Sequence, residues 1–434
     1  MKVLLVCDPG PDPDDVKVLL CAAALHRASS VPFELLGVVC NGGGDALGRA
    51  RLAKAVLRQA GAPDVPVSAG SAGVARRARD YEYALPGWAD AAAAVEEDGA
   101  DASLLLRVLR DERHGPGSVS VVAQAALTDV AAAMAAEPAL FCAKVRRLAV
   151  VGGLRRAGEA SPAAGGGGGG GCWEPDDSHN NLFDLPAATA AYDFCLARAV
   201  PLLVLGRAAV PLLPMELAER FASTGHPLLA YLCAAQRQGL VELWGKVQDS
   251  TRIRRRQQGG CAGAGGGDGG DSSSGSSAAL PERCDVPWFF ATFCGVGEAA
   301  FAAGGWAAQA AEEGFRIEGH LAGTVKPYDV AGFMALLQLQ LAGEDDSSRR
   351  HDGGDGGDGG APNFDFGFDF EAARVTPAVG GCASHFLLQE SVHTPREGAV
   401  AQFLAWAYED VVAHSGAALG RTGGGSAAGD ESPA

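Results

Sequence analysis

The sequence predicts an α/β fold: a doubly wound, mostly parallel sheet flanked by helices. Three observations predict it. Apolar runs such as Lys2–Cys7 and Arg147–Gly152 are continuous rather than alternating, which suits strands covered on both faces. A helical pattern follows most of these runs at the spacing of a crossover connection. Segments rich in Gly, Ser and Asp, near 165–171, 257–279 and 343–360, interrupt this pattern without changing it on either side. They have too little apolar surface to offset their ordering entropy, so they read as disordered inserts in one domain, residues 1–419, with a disordered tail over 420–434.

In chain order the pattern predicts strand Lys2–Cys7, helix Asp14–His26, strand Glu34–Asn41, helix Ala46–Ala60 and a short strand Val65–Ala69. A helix over Leu104–Glu112 and a strand over Val119–Ala123 follow, then a helix over Thr128–Ala135 with Thr128 as its N-cap. Strand Arg147–Gly152, helix Pro186–Arg198 with Pro in its first turn, and strand Pro201–Leu205 complete the series. The stretch Asn363–Phe370 alternates with period two, as an edge strand or an apolar loop would.

Composition excludes several functions. The chain has 434 residues, a net charge of −17 and 47% hydrophobic residues, enough for a sizeable core. That acidity is the wrong sign for a nucleic-acid binder or for an anionic membrane surface. No apolar stretch approaches the ~18 residues of a membrane span. The 11 cysteines are odd in number and scattered, with no CxxC pair, which argues for free thiols and a cytoplasmic location rather than a disulfide framework. The basic run Arg252–Arg256 reads as a solvated or acid-pairing face. The glycine-rich opening Asn41–Gly48 lacks the Lys-Ser/Thr end of a phosphate loop.

The residues that carry chemistry lie after the first strand, in Asp8-Pro-Gly-Pro-Asp12-Pro-Asp14-Asp15. Four carboxylates in eight residues repel one another; held in a turn they take raised pKa values or demand a cation. Oxygen donors of this kind suit Ca²⁺, whose irregular shell tolerates such a turn better than the octahedron of Mg²⁺. The alternative is an acidic turn that only caps a helix, through Asp14 and Asp15.

This strand–Asp-Pro-Gly–Asp-Asp–helix arrangement resembles the opening of the inosine/uridine-type nucleoside hydrolases, with two extra residues before the Asp pair and Val6 where an acidic residue is usual. Further segments resemble the same family in order: Gly37–Asn41, Ala60–Gly70, Val121–Ala131, Leu148–Gly153, His179–Ala188 and Cys284–Pro287. The resemblance implies a Ca²⁺ held by Asp8, Asp15, the backbone carbonyl of Gln124 and the distant Asp285. It implies Asp8 as the general base that takes a proton from the attacking water, with Asp14 as a ribose ligand and fallback base. It implies that Asn41, Asn180 and Asn181 bind ribose hydroxyls, with His179 and Cys284 also at the substrate.

The implied activity is metal-dependent hydrolysis of a ribonucleoside to ribose and base, through an oxocarbenium-like state. The family's habit implies a homo-oligomer. Cys284 replaces the histidine that helps the base leave in part of the family, and His179 stands where an acid is expected. An alternative is therefore a member that binds a ribosyl ligand without turning it over. A Mg²⁺-dependent phosphohydrolase is a further alternative, but Asp8-Pro-Gly-Pro-Asp12 lacks the spacing of an Asp-x-Asp nucleophile. Trp173, Phe183, Trp288 and Tyr328 flank the motifs and read equally as base-stacking or core aromatics.

Overall fold

The structure is a computed structural model that describes residues 1–75, 78–97, 103–156, 173–259, 284–312, 314–341, 364–375 and 385–422. Its central sheet takes β1 (Lys2–Cys7), β2 (Glu34–Cys40), β3 (Val67–Ala69), β4 (Glu96–Glu97), β5 (Val119–Ala123) and β6 (Val145–Val151) from the first part of the chain. Two short strands outside it, β7 (Leu154–Arg156) and β8 (Trp173–Pro175), form an antiparallel hairpin. Next come β9 (Leu202–Leu205), then β10 (Leu213–Pro214) and β11 (Thr324–Val325), which pair with each other, and last β12 (Arg374–Val375) and β13 (His385–Leu388). The sheet order is β12-β13-β9-β6-β5-β1-β2-β3-β4, with every neighbouring pair parallel except β12–β13.

Both faces of the sheet are covered, as the continuous apolar strands require. In β1 the side chains of Val3, Leu5 and Cys7 enter one core with α1 (Asp14–Arg27) and α2 (Ala46–Gln59). Leu4 and Val6 enter a second core with α3 (Leu104–Arg110), α4 (Thr128–Ala136), α5 (Pro138–Lys144) and, after the one-turn α6 (His179–Phe183), α7 (Leu185–Ala197). The two-residue period of the strand thus sorts its side chains between two helical layers.

The remaining helices thicken the first layer. They are α8 (Glu216–Ala222), α9 (Pro227–Gly259), α10 (Val286–Phe293), α11 (Glu298–Ala303), α12 (Trp306–Gln309), α13 (Tyr328–Leu341) and α14 (Ala399–Thr422). The helix α13 is buried on every face from Asp329 to Leu337, which makes it a central element and not a surface one.

The predicted elements through residue 205 all form, with ends displaced by no more than two residues. Thr128 is not the N-cap of α4; Leu127 holds that position, and the Thr128 hydroxyl donates instead to Asp184 at 2.7 Å. Asp184 caps α7, whose Pro lies in the first turn as expected. The period-two segment forms no strand over Phe364–Phe370. Phe366 and Phe368 are buried, and the Gln338 side-chain oxygen accepts from both of their backbone amides.

Of the expected inserts, 165–171, 260–279 and 343–360 lie outside the described residues, as does the tail from 423. Gln257–Gly259 instead extend α9, and Gly420–Thr422 extend α14. Arg252 pairs with Asp249 at 2.9 Å, the acid-pairing face expected of the basic run.

Candidate functional site

From β1 the chain turns to β2 and β3 on one side, then returns to β5, β6 and β9 on the other. The direction of winding reverses between β1 and β5. A crevice opens at the carboxyl ends of strands at such a point, and ligands bind there in open α/β sheets. Asp8 follows β1 at this edge, Asn41 follows β2 and Gln124 follows β5.

The acidic turn folds back on the first turn of α1. The Asp8 backbone N–H donates to Asp15 Oδ1 at 3.2 Å, and the Asp14 N–H donates to Asp12 Oδ1 at 3.2 Å. The helix α9 lies against this turn: a Cβ at Gly239 would stand 3.0 Å from the Pro11 carbonyl oxygen, so a small residue permits the approach. Two buried cations answer the carboxylates. Arg49 Nη1 donates to Asp8 Oδ2 at 2.6 Å and to the Asn41 carbonyl at 2.9 Å. Lys17 Nζ, 1% exposed, donates to Asp14 Oδ1 at 2.6 Å and to Gln236 Oε1 of α9 at 2.7 Å.

A fifth carboxylate joins these four from far along the chain. Asp329 opens α13, and its backbone carbonyl accepts from Gln124 Nε2 at 2.8 Å, which ties the start of that helix to the end of β5. Its carboxyl is pushed well above the usual range, first by burial and then by Asp15, Asp14, Asp12 and Asp8. The structure therefore brings Asp329 to the amino-terminal carboxylates. Asp285, expected in that place, is engaged elsewhere: it is the N-cap of α10, with Oδ1 accepting from the Trp288 amide at 2.9 Å.

A sequence signal for Asp329 did exist. An Asp that follows Lys326-Pro327-Tyr328 and opens an apolar run from Val330 to Leu337 has little reason to be buried unless it acts there.

Arg49 and Lys17 offset the crowding of carboxylates at the floor only in part. Burial, then Asp8, push Asp15 well above the carboxylate range. Burial, then Asp14, push Asp12 up to about 7. Asp12 is exposed to solvent. Directly behind lie Cys7 and Cys40, paired in register across β1 and β2 with their sulfurs 3.7 Å apart.

The other expected residues divide. Asn41 Nδ2 donates to Asp129 at 2.7 Å and to the Ala126 carbonyl at 3.0 Å. Asn180 Nδ2 donates to the carbonyls of Gln124 and Val151, both at 2.9 Å, and Asn181 Nδ2 to that of Gly153 at 2.8 Å. Asn180 and Asn181 thus clasp the ends of strands, and Asn41 ties the end of β2 to the start of α4. Their N–H donors are spent on protein, and the Asn181 oxygen accepts from the Tyr192 hydroxyl at 3.4 Å. His179 is exposed; burial by its surroundings, then Lys246 and Arg207, lower its pKa. Cys284 lies close enough to Tyr328 to act on it electrostatically, and its carbonyl accepts from Arg254 at 3.4 Å. Of the flanking aromatics, Trp288 packs against Phe293 and Phe183 is 62% exposed.

The donors fit a hard cation in kind. Asp14 Oδ2, Asn41 Oδ1 and Gln124 Oε1 are buried oxygens with no hydrogen-bond partner, and burial and neighbouring carboxylates raise Asp15 and Asp329. Among the described residues, however, no three His, Cys, Asp or Glu side chains converge closely enough to hold a metal as they stand. One oxygen of Asp8 is already taken by Arg49.

The sequence profile described as inosine-uridine preferring nucleoside hydrolase matches residues 3–236, more than half of the chain. The chain belongs to this family. Among curated nucleoside hydrolases, a probable uridine nucleosidase 1 of Oryza sativa subsp. japonica is 32% identical over 174 residues. That match covers 37% of this chain and 50% of the relative, so the chain spans half the length of this nucleosidase.

Two solved structures share the fold over nearly the whole chain. One is the type III effector protein XopQ complexed with adenosine diphosphate ribose, with a TM-score of 0.59, 23% identity, and 95% and 94% of the two chains covered. The other is the effector protein XOO4466, with a TM-score of 0.57, 22% identity, and 95% and 93% covered. The family match ends at residue 236, so Asp329 lies beyond it.

Proposed function

We propose that this chain hydrolyses the N-glycosidic bond of a ribosyl compound, releasing a free base. One observation carries the reading: Asp329 arrives from a distant helix to join Asp8, Asp12, Asp14 and Asp15 at the crevice between β1 and β5. Asp8, Asp15, Asp329 and the Gln124 carbonyl would hold a divalent cation, with Ca²⁺ favoured by the irregular oxygen set. When bound, that cation neutralises the carboxylates and acidifies water.

The chain's own residues do the rest. Asp8 accepts the proton of the attacking water on Oδ1, while Arg49 fixes its other oxygen. Lys17 holds Asp14 by Oδ1 and leaves Oδ2 to accept from a ribose hydroxyl. The clustered negative charge stabilises the positive charge that develops on the sugar. Eight described cysteines are free thiols, in keeping with a reducing, cytoplasmic location. No helix among the described residues is long and apolar enough to cross a membrane.

A second reading, binding of a ribosyl ligand without turnover, is favoured by the Arg49–Asp8 pair, because one oxygen of the proposed base is already held by a guanidinium. XopQ, similar in fold, was solved with adenosine diphosphate ribose. Release of base from inosine and uridine, measured with Ca²⁺ and with a chelator, separates the readings. Ca²⁺-dependent release that Asp8→Ala abolishes supports hydrolysis. Ribose binding without base release at high enzyme concentration overturns it in favour of binding.

A further inference from the structure

The Asp129 carboxylate joins three separate stretches of chain at the carboxyl edge of the sheet. It sits in the first turn of α4, where the helix dipole favours negative charge. Its Oδ2 accepts from Asn41 Nδ2 at 2.7 Å, at the end of β2. Its Oδ1 accepts from the Ser71 amide at 2.9 Å and from the Ser71 hydroxyl at 2.8 Å, just past β3. Gly70 permits that approach, since a Cβ there would stand 2.7 Å from Asp129 Oδ1.

A carboxylate accepts hydrogen bonds and donates none, so Asp129 fixes which way the Asn41 amide points. Asn41 Nδ2 donates to Asp129 and, at 3.0 Å, to the Ala126 carbonyl, which uses both of its hydrogens. The amide oxygen is left over. Asn41 is 1% exposed, and its Oδ1 is buried with no hydrogen-bond partner. A buried acceptor without a donor is costly, and a ligand that brings a donor removes the cost. Asn41 also adjoins the proposed base. Arg49 Nη1 donates both to the Asn41 carbonyl, at 2.9 Å, and to Asp8 Oδ2, at 2.6 Å.

We infer that Asp129 is a positioning residue: it turns the Asn41 amide so that Oδ1 accepts from a hydroxyl of the bound ribosyl ligand. Its own oxygens are engaged by Asn41 and Ser71, so it acts through Asn41. This rests on the proposed ribosyl site and names a residue that shapes it.

Titration calorimetry with ribose in Ca²⁺ tests it. Asp129→Asn presents Asn41 with a donor as well as an acceptor, so the amide is no longer fixed, and ribose should bind about fivefold more weakly or worse. Asn41→Ala should lose about as much. Adding Asp129→Asn to Asn41→Ala should change the affinity by no more than about twofold, because the two residues act as one unit. A merely structural role would lower the melting temperature and make the two losses add. Ser71→Ala removes a different bond to the same carboxylate and should leave ribose binding within about twofold of the parent. Asn41→Asp keeps an acceptor but sets it against Asp129, so it should also lose about fivefold, which keeps the test decisive if Asp129→Asn does not fold.

Parental ribose affinity in Asp129→Asn or in Asn41→Asp, or losses that add, overturns the positioning role and leaves the ribosyl site standing. Loss of the Ca²⁺-induced rise in melting temperature in Asn41→Ala makes Asn41 Oδ1 a cation ligand, which also overturns it. No binding of ribose by the parent overturns the ribosyl site itself, and this inference with it.

Discussion

Arg49→Ala is the most revealing perturbation, because Arg49 acts as built-in counter-charge for the carboxylates. Its side chain is 4% exposed and its partner Asp8 21% exposed, with 2.6 Å between them; it also donates to the Asn41 carbonyl at 2.9 Å. Removing one partner of a buried pair costs about 3–5 kcal/mol, because the other charge stays buried alone. The partial exposure of Asp8 moves that toward the low end, to about 2–4 kcal/mol.

The loss should depend on metal. With Arg49 gone, Lys17 alone opposes five carboxylates, so the site should bind Ca²⁺ more tightly than before. A ligand at a hundred times its dissociation constant returns about 2.7 kcal/mol, enough to offset much of the damage. Thermal melts of both proteins, with chelator and with Ca²⁺, read this directly. Arg49→Ala should melt well below the parent in chelator and close most of the gap in Ca²⁺. Equal melting temperatures in chelator would refute the counter-charge argument, and a deficit that Ca²⁺ leaves untouched would refute its link to a cation.

Asp8→Ala should lower turnover by several orders of magnitude while circular dichroism stays unchanged; a rate near the parent's would end its assignment as base. Asp329→Asn should abolish the Ca²⁺-induced rise in melting temperature, whereas Asp285→Ala should keep that rise and lose only about 0.5–2 kcal/mol from its helix cap. Reversal of that pair in a melting assay would restore Asp285 as the ligand.

Stability without metal should fall as pH rises from about 4 to about 7. Asp12 binds its proton up to about 7 in the folded chain, so over that window the unfolded state holds fewer protons; Asp15 and Asp329 act in the same direction. Melting temperatures in chelator across that range check the sign, and a rise with pH contradicts it.

The sequence placed Asp8, Asp14 and Asp15 in one turn, as they stand, and expected Asp285 where Asp329 stands, for physical reasons. Asp8, Asp14 and Asp15 are legible because a strand, a turn and a helix within fifteen residues fix them locally. Through residue 205 the strand and helix periods hold, since each element buries its own apolar face. Cys284-Asp285-Val286-Pro287 and Tyr328-Asp329-Val330-Ala331 are near-equivalent strings, each an Asp opening an apolar helix. What separates them is the helix that follows. Asp285 starts α10, with exposed or half-buried positions among its aromatics, while Asp329 starts α13, enclosed through nine consecutive residues. The clasping by Asn180 and Asn181 was not legible either, because their carbonyl partners depend on where β5 and β6 end in space.

That enclosure explains why a carboxylate so costly to bury is kept at the start of α13. The helix is packed on every side against the central strands, and a Cβ at Gly332 would stand 2.5 Å from Val151 Cγ2. It has no freedom to slide away from its neighbours. Asp329 is thus held within electrostatic reach of Asp8, Asp12, Asp14 and Asp15 by apolar packing that nothing in their own electrostatics favours. A fold that spends core packing to hold like charges together stores a demand for positive charge at one point. Arg49 and Lys17 meet only part of it. A divalent cation at the floor, and the positive charge that would develop on a ribosyl group as its base departs, are the two species that would meet the rest.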